Sequence, residues 1–149
     1  MAYLTELTKF MGGPTIVGSP ASDFEFIKII RRGLPKTVIN RVVKSSAISA
    51  DVLFTSLRIS KRTLDRRTAS TAGRKNNRLK PAESELIYRF SKALVTAAEV
   101  LGGRDKAKEW LFAENRALNG ERPIDLLDTA IGFEDVLDVL HRIEFGVYS

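Results

Sequence analysis

The 149-residue sequence has no cysteine, one histidine and one tryptophan. Without cysteine there is no disulfide, no thiolate metal site and no cysteine nucleophile. A lone histidine, His141, argues against a zinc site in a chain without cysteine. Long apolar runs are missing too, so no segment reads as a membrane span. The opening MAYLTELTKFMGG lacks a basic start and is interrupted by Glu6, Thr8 and Lys9, which argues against a signal peptide. A soluble cytoplasmic protein is therefore expected, with no membrane partner. Strand-like alternation of useful length is absent as well.

Catalytic groupings are equally scarce. His141 lies beside Asp138 and Arg142, off the apolar stripe of Leu137 and Leu140. Glu134, Asp135 and Asp138 fall on the polar face of the same helical pattern, where acids keep a surface wet. Gly102-Gly103-Arg104 lacks the spacing and the terminal Lys-Ser/Thr of a phosphate loop. Neither an enzyme nor a cofactor or metal is expected.

What the sequence does have is a charge asymmetry. Residues 1–80 hold sixteen Lys or Arg against five Asp or Glu, a net of +11, whereas residues 81–149 hold eight against thirteen, a net of −5. Between Arg58 and Lys80 there are nine basic residues and one acid, Asp65. A polyanion, nucleic acid before membrane, is the expected partner of the first half. The second half, net acidic, is not expected to share that partner.

The periodicity predicts an all-α chain of seven or eight short helices. Residues 1–21, rich in Gly, Thr and Pro, read as a flexible arm. Ser22 and Glu25 have the spacing of a capping box before Phe26, Ile27 and Ile30, and Gly33 ends that helix. Pro35 then suits the first turn of a helix carrying Val38, Ile39, Val42 and Val43. Ser49 can cap a third, with Val52, Leu53 and Leu57 inward, and Ser60 a fourth, with Leu64 inward.

These last two helices, joined by Leu57-Arg58-Ile59-Ser60, have helix-turn-helix spacing, in which the second helix enters the major groove. Ser60, Lys61, Arg62, Thr63, Arg66 and Arg67 are then candidate DNA contacts. Arg74 and Lys75, with Arg78 and Lys80, form a basic loop suited to phosphates. Residues 22–80 are assigned to this domain, and a two-fold homodimer is expected because such proteins read paired half-sites.

Residues 81–149 read as a second helical domain. Pro81 opens a long helix with the stripe Leu86, Phe90, Leu94, Ala97 and Leu101, stopped by Gly102-Gly103. Asp105 is the expected cap of a helix carrying Ala107, Trp110 and Leu111 as far as Asn119-Gly120. Pro123 restarts a short helix, and after Gly132 a last helix carries Phe133, Val136, Leu137, Leu140 and Ile143.

The chain resembles antitoxins of the Xre/MbcA/ParS family, the partners of RES-domain toxins. The resemblance is strongest from Leu79 onward: Trp110-Leu111, Asn115, Leu118, Gly120, Pro123, Leu126-Leu127, Thr129, Gly132, Val136, Leu140 and the ending RIEFGVY all fall on the family's toxin-binding pattern. Ile59-Ser60, Thr63-Leu64 and Arg66-Arg67 resemble its Xre-like DNA-binding helix more loosely. The resemblance implies a two-part repressor-antitoxin. One part would bind the operator of its own operon, and the other would hold a RES toxin that consumes NAD.

The ending has its own physical logic. A helix stopping at Gly146 releases Val147, Tyr148 and Ser149, a short apolar-aromatic plug with a terminal carboxylate. With Arg142, residues Phe145 to Ser149 are expected to enter the toxin's active-site cleft; alternatively Phe145 and Tyr148 fold back onto their own core. A plain dimeric helix-turn-helix regulator without a toxin is the rival reading of the whole chain. An RNA-binding scaffold is disfavoured, because residues 58–80 hold no aromatic on which bases can stack.

Overall fold

The computed structural model describes residues 2–62, 64 and 77–146. It is helical, and among the described residues there is no strand but an isolated bridge between Pro35 and Arg78. The chain divides into two compact units, Met1–Ile87 and Tyr88–Ser149.

In the first unit, α1 (Ala2–Phe10) and α2 (Pro14–Val17) replace the flexible arm expected over residues 1–21. Leu7, Phe10 and Met11 are wholly buried. Each such side chain contributes about 1.5–3 kcal/mol on leaving water, which ties the segment down. Ser45 Oγ, on α4, donates to the Phe10 carbonyl at 2.8 Å and fixes α1 to that helix. Gly12 and Gly13 turn the chain between α1 and α2 at φ +116° and +85°.

Helix α3 (Asp23–Arg32) begins as expected, with Ser22 Oγ accepting from the Glu25 N–H, and ends at Gly33. Phe26 is its buried anchor; Ile27, expected inward, is 43% exposed. Pro35 does not open a helix. It sits in the bridge to Arg78, and α4 (Val38–Ser46) starts only after the Lys36 N–H has donated to the Asn77 carbonyl at 2.7 Å. Helix α5 (Ala50–Leu57) is capped by Ser49 Oγ and buries Leu53 and Leu57, while Val52 stays exposed.

Segments 33–36 and 77–84 form a clasp. Leu79 N–H donates to the Leu34 carbonyl at 2.8 Å, Leu34 N–H donates to Ser84 Oγ at 2.8 Å, and Arg78 Nη1 donates to the Gly33 carbonyl at 2.7 Å. Gly33 has φ +96°, and a Cβ there would run into the Leu79 carbonyl, so the close approach requires glycine. The clasp closes the base of the segment that carries α4, α5 and the helix opening at Lys61.

Helix α6 (Pro81–Leu101) runs through the unit boundary, and Gly102 and Gly103 stop it at positive φ. In the second unit α7 (Arg104–Phe112) is preceded by Gly103 as cap, with no side-chain hydrogen bond; Asp105 is instead in its first turn, near the positive end of the helix dipole. The helix stops at Ala113, short of the expected Asn119-Gly120. Two 3₁₀ turns follow, Arg116–Leu118 and Pro123–Leu126. Asn115 organises the first: its side chain accepts from the Ala117 N–H at 2.9 Å and its carbonyl from the Gly120 N–H at 2.8 Å.

Helix α8 (Ala130–Glu144) starts two residues before Gly132, because Thr129 Oγ1 accepts from the Gly132 N–H at 3.0 Å. Gly132 packs against the Leu126 carbonyl so closely that a Cβ could not be accommodated. The buried side chains here include Ala107, Leu111, Ile124, Leu127, Val136 and Leu140. Trp110 is half-buried, at the edge of this core. Arg122 clamps Asp125 through Nε (2.8 Å) and Nη2 (3.0 Å), with its guanidinium 5.5 Å from the Phe112 ring centroid. The hydrogen bond to Asp125 holds the Arg122 guanidinium above its ordinary pKa range.

Candidate nucleic-acid and partner interfaces

The turn after α5 is built on backbone geometry. Arg58 adopts the left-handed conformation (φ 59°), which lets its N–H reach the Phe54 and Thr55 carbonyls and the Ile59 N–H reach Phe54 at 2.9 Å. A left-handed residue at this place closes α5 and redirects the chain. The next helix opens at Lys61, with the Leu64 N–H donating to the Ser60 carbonyl at 3.1 Å. Leu64 is 2% exposed and Ile59 is also buried, so this opening turn is anchored on its inner side.

Its outer side presents three of the residues expected to contact DNA. Ser60, Lys61 and Arg62 are all exposed at the start of the helix, the position from which helix-turn-helix proteins address base edges. Lys61 Nζ lies 3.5 Å from Asp51 Oδ1 on α5, but both side chains are largely exposed and such a pair is weak. Thr63, Arg66, Arg67, Arg74 and Lys75, also predicted, lie outside the described residues. Arg78 belongs to the structure instead: its guanidinium is spent on the Gly33 carbonyl in the clasp.

At the other end of the chain, α8 keeps Glu134, Asp135, Asp138 and His141 on its exposed face. Arg142 is exposed too. Phe145 caps the helix, its N–H donating to the His141 carbonyl at 3.0 Å, and its side chain is 75% exposed. Phe145 therefore does not fold back onto its own core. Gly146 follows at φ +71° and is exposed. Val147, Tyr148 and Ser149 lie outside the described residues. Sequence reasoning did not single out Ile131, another 75%-exposed side chain at the start of α8; it stands one residue before Gly132, and its position off the stripe of Val136 and Leu140 was the available signal.

Among the described residues no group of three or more His, Asp or Glu is arranged to hold a metal, and no helix is long and apolar enough to cross a membrane. The fold and its exposed basic helix start define a helix-turn-helix protein with an additional helical module.

Comparison with known proteins identifies both parts. The antitoxin Xre-like helix-turn-helix domain matches residues 25–92, and the antitoxin Xre/MbcA/ParS C-terminal toxin-binding domain matches residues 96–146. The antitoxin Xre of Yersinia enterocolitica is 30% identical over 135 residues, covering 89% of this chain and 88% of that protein. The antitoxin Xre of Photorhabdus laumondii is 29% identical over 135 residues with the same coverage. A Prs ADP-ribosylating antitoxin of Sphingobium sp. is 29% identical over 138 residues, covering 87% of this chain and 84% of that protein. The chain belongs to the Xre/MbcA/ParS antitoxin family. It is a type II antitoxin, with a toxin as protein partner and DNA as the ligand of its helix-turn-helix domain.

Proposed function

We propose that this antitoxin neutralises a RES-domain, NAD-consuming toxin by placing its C-terminal residues in the toxin's active-site cleft, and that it represses its own operon as a homodimer in the cytoplasm. Residues 22–80 would carry the DNA contacts and residues 81–149 the toxin contacts. The observation that carries this reading is Phe145, 75% exposed at the end of α8 with Arg142 exposed one turn earlier. Burial in a partner would remove a large aromatic side chain from water, and aromatic and Arg anchors dominate protein interfaces. The word ADP-ribosylating in the name of the Sphingobium relative agrees with a toxin that draws on NAD. The antitoxin itself acts by occupancy, without a catalytic residue or cofactor of its own.

The test is to purify the tagged protein from its native operon at moderate salt. A stoichiometric partner with NAD-consuming activity that is inhibited in the complex is the expected result. Recovery of the protein and its operator alone would reduce the reading to a plain helix-turn-helix regulator.

A further inference from the structure

On the side of α3 away from the buried Phe26, Phe24 is 66% exposed and Ile27 43%. With Lys28 and Arg31, both exposed, they form one stripe at the helical spacing i, i+3, i+4, i+7. Lys28 Nζ lies 5.5 Å from the Phe24 ring centroid, a contact within the chain that still leaves most of the ring in water. Scattered exposed apolar side chains are ordinary, but a large aromatic and an isoleucine side by side, edged by Arg, have the composition of an interface. Charge is ordered along the same helix: Asp23 and Glu25 lie in its first turn, Arg31 and Arg32 in its last. The helix dipole favours that order in any helix, so by itself it identifies nothing. Combined with the apolar centre, however, it makes the face self-complementary: turned end for end, the face meets acid with base and Ile27 with Ile27.

From these observations we infer that the outer face of α3 docks a second copy of this chain. The two α3 helices pack antiparallel about a two-fold axis, with Ile27 beside its own copy near the axis, Phe24 packing across it, and the acidic first turn of each helix opposite the basic last turn of the other. Such an isologous contact needs one self-complementary patch, which this face supplies. A nucleic-acid backbone would attract Arg31 and Arg32 but repel Asp23 and Glu25, and would leave Phe24 and Ile27 in water, so a second copy is the better occupant. The inference rests on the homodimer of the proposed function and names the surface that forms it. A ten-residue helix is only about 15 Å long, which makes for a small interface and a weak, concentration-dependent dimer.

The test is sedimentation equilibrium of the full chain, without DNA or toxin, from about 1 μM to about 500 μM, a range that spans micromolar dissociation constants. The parent should pass from monomer to dimer. Ile27→Asp and Phe24→Asp should each raise the dimer Kd about tenfold or more, because two-fold symmetry places each substitution in the interface twice. Arg31→Glu should weaken the dimer, and adding Asp23→Arg to the same chain should recover part of the loss, since the two ends then attract again with their signs exchanged. Circular dichroism checks each fold, and Phe24→Asp, at the more exposed position, serves if Ile27→Asp does not fold. Because the sequence has no cysteine, Ile27→Cys gives a second readout. Mild oxidation should join two copies through it, whereas Val52→Cys, at a 42%-exposed position on α5, should stay unlinked. A parent that is monomeric throughout would overturn this inference and the homodimer with it. A dimer left intact by the folded Asp variants, or Ile27→Cys linked no faster than Val52→Cys, would overturn the assignment to α3 and leave the homodimer standing.

Discussion

Ser84 Oγ accepts a hydrogen bond from the Leu34 backbone N–H at 2.8 Å, with both residues wholly buried and fifty positions apart in the chain. Ser84 lies in the first turn of α6, so this bond latches that helix to the segment leading into α4. Ser84→Ala leaves the amide without a partner and without water. The cost of an orphaned buried donor is about 1–3 kcal/mol. Urea unfolding followed by circular dichroism should show a loss in that range, and the Leu34 amide should lose its protection against hydrogen exchange. A variant as stable as the parent, with the amide still protected, would mean that another acceptor had replaced the hydroxyl.

Gly132 offers a sharper test of packing. Alanine is the better helix former by about 1 kcal/mol in an exposed helix interior, so propensity alone predicts that Gly132→Ala stabilises α8. Sterics predict the opposite, because the new Cβ would meet the Leu126 backbone carbonyl, which cannot swing aside like a side chain. Overpacking costs about 1–3 kcal/mol, and backbone contact puts this case at the upper end. The expected outcome is a lower melting temperature and weaker toxin binding. Trp110, in the same unit, gives a fluorescence readout of the change.

Ala47 provides the reverse case. It caps α4 in the left-handed conformation (φ 58°, ψ 31°) and is exposed. That conformation costs an L-residue about 1–2 kcal/mol, whereas glycine adopts it freely but loses more entropy on folding. Ala47→Gly should therefore stabilise the first unit by a net ~0.5–1 kcal/mol. Thermal unfolding measures it, and a drop in melting temperature would show that the methyl group makes a contact worth more than the strain.

These positions show which features local pattern can reveal. Ser22, Ser49 and the Gly102-Gly103 stop are legible because a cap bonds its own first turn, and Phe26, Leu53 and Leu64 because burial follows the helical period. Pro35 is misread as a helix start since its bridge partner, Arg78, is forty-three residues away. Gly132 looks like a boundary because the Leu126 carbonyl behind it is invisible in a one-dimensional pattern. Residues 1–21 look like an arm because Gly12-Gly13-Pro14 outweighs the preceding Leu4, Leu7 and Met11, whose spacing is already helical. The basic charge of residues 58–80 is legible in the sequence because a sum of charges needs no knowledge of where the chain folds.

At the C-terminal end, Phe145→Ala separates interface from core. A side chain 75% exposed contributes little to folding, so the melting temperature should stay within a degree or two while toxin affinity falls about 30-fold or more, the ~2 kcal/mol of an interface hot spot. Deleting Val147 to Ser149 should likewise spare the fold and weaken neutralisation. Should both variants inhibit the toxin like the parent, the C-terminal end would not be the inhibitory element.

The expected DNA contacts divide into two kinds that salt would distinguish. Arg62 is exposed at the start of the helix that follows the turn, where side chains reach base edges. Losing a bidentate base contact costs about 1–3 kcal/mol at one position of the operator, so Arg62→Ala should weaken specific binding and relax the sequence preference there. Arg66→Ala is expected to behave the same way. For Arg74 and Lys75, in the basic stretch of the sequence, the expected contact is a phosphate, with the same charge on every sequence. Arg74→Ala or Lys75→Ala should then weaken operator and unrelated duplexes alike. Each should also lower the slope of log affinity against log salt by about 1, because one fewer counterion is released. Measuring affinity for operator and scrambled duplex at several salt concentrations separates the two classes. If Arg62→Ala lowered both affinities equally, with the salt slope of a phosphate contact, the helix opening at Lys61 would be lying along the backbone, and base reading would have to be sought on another element.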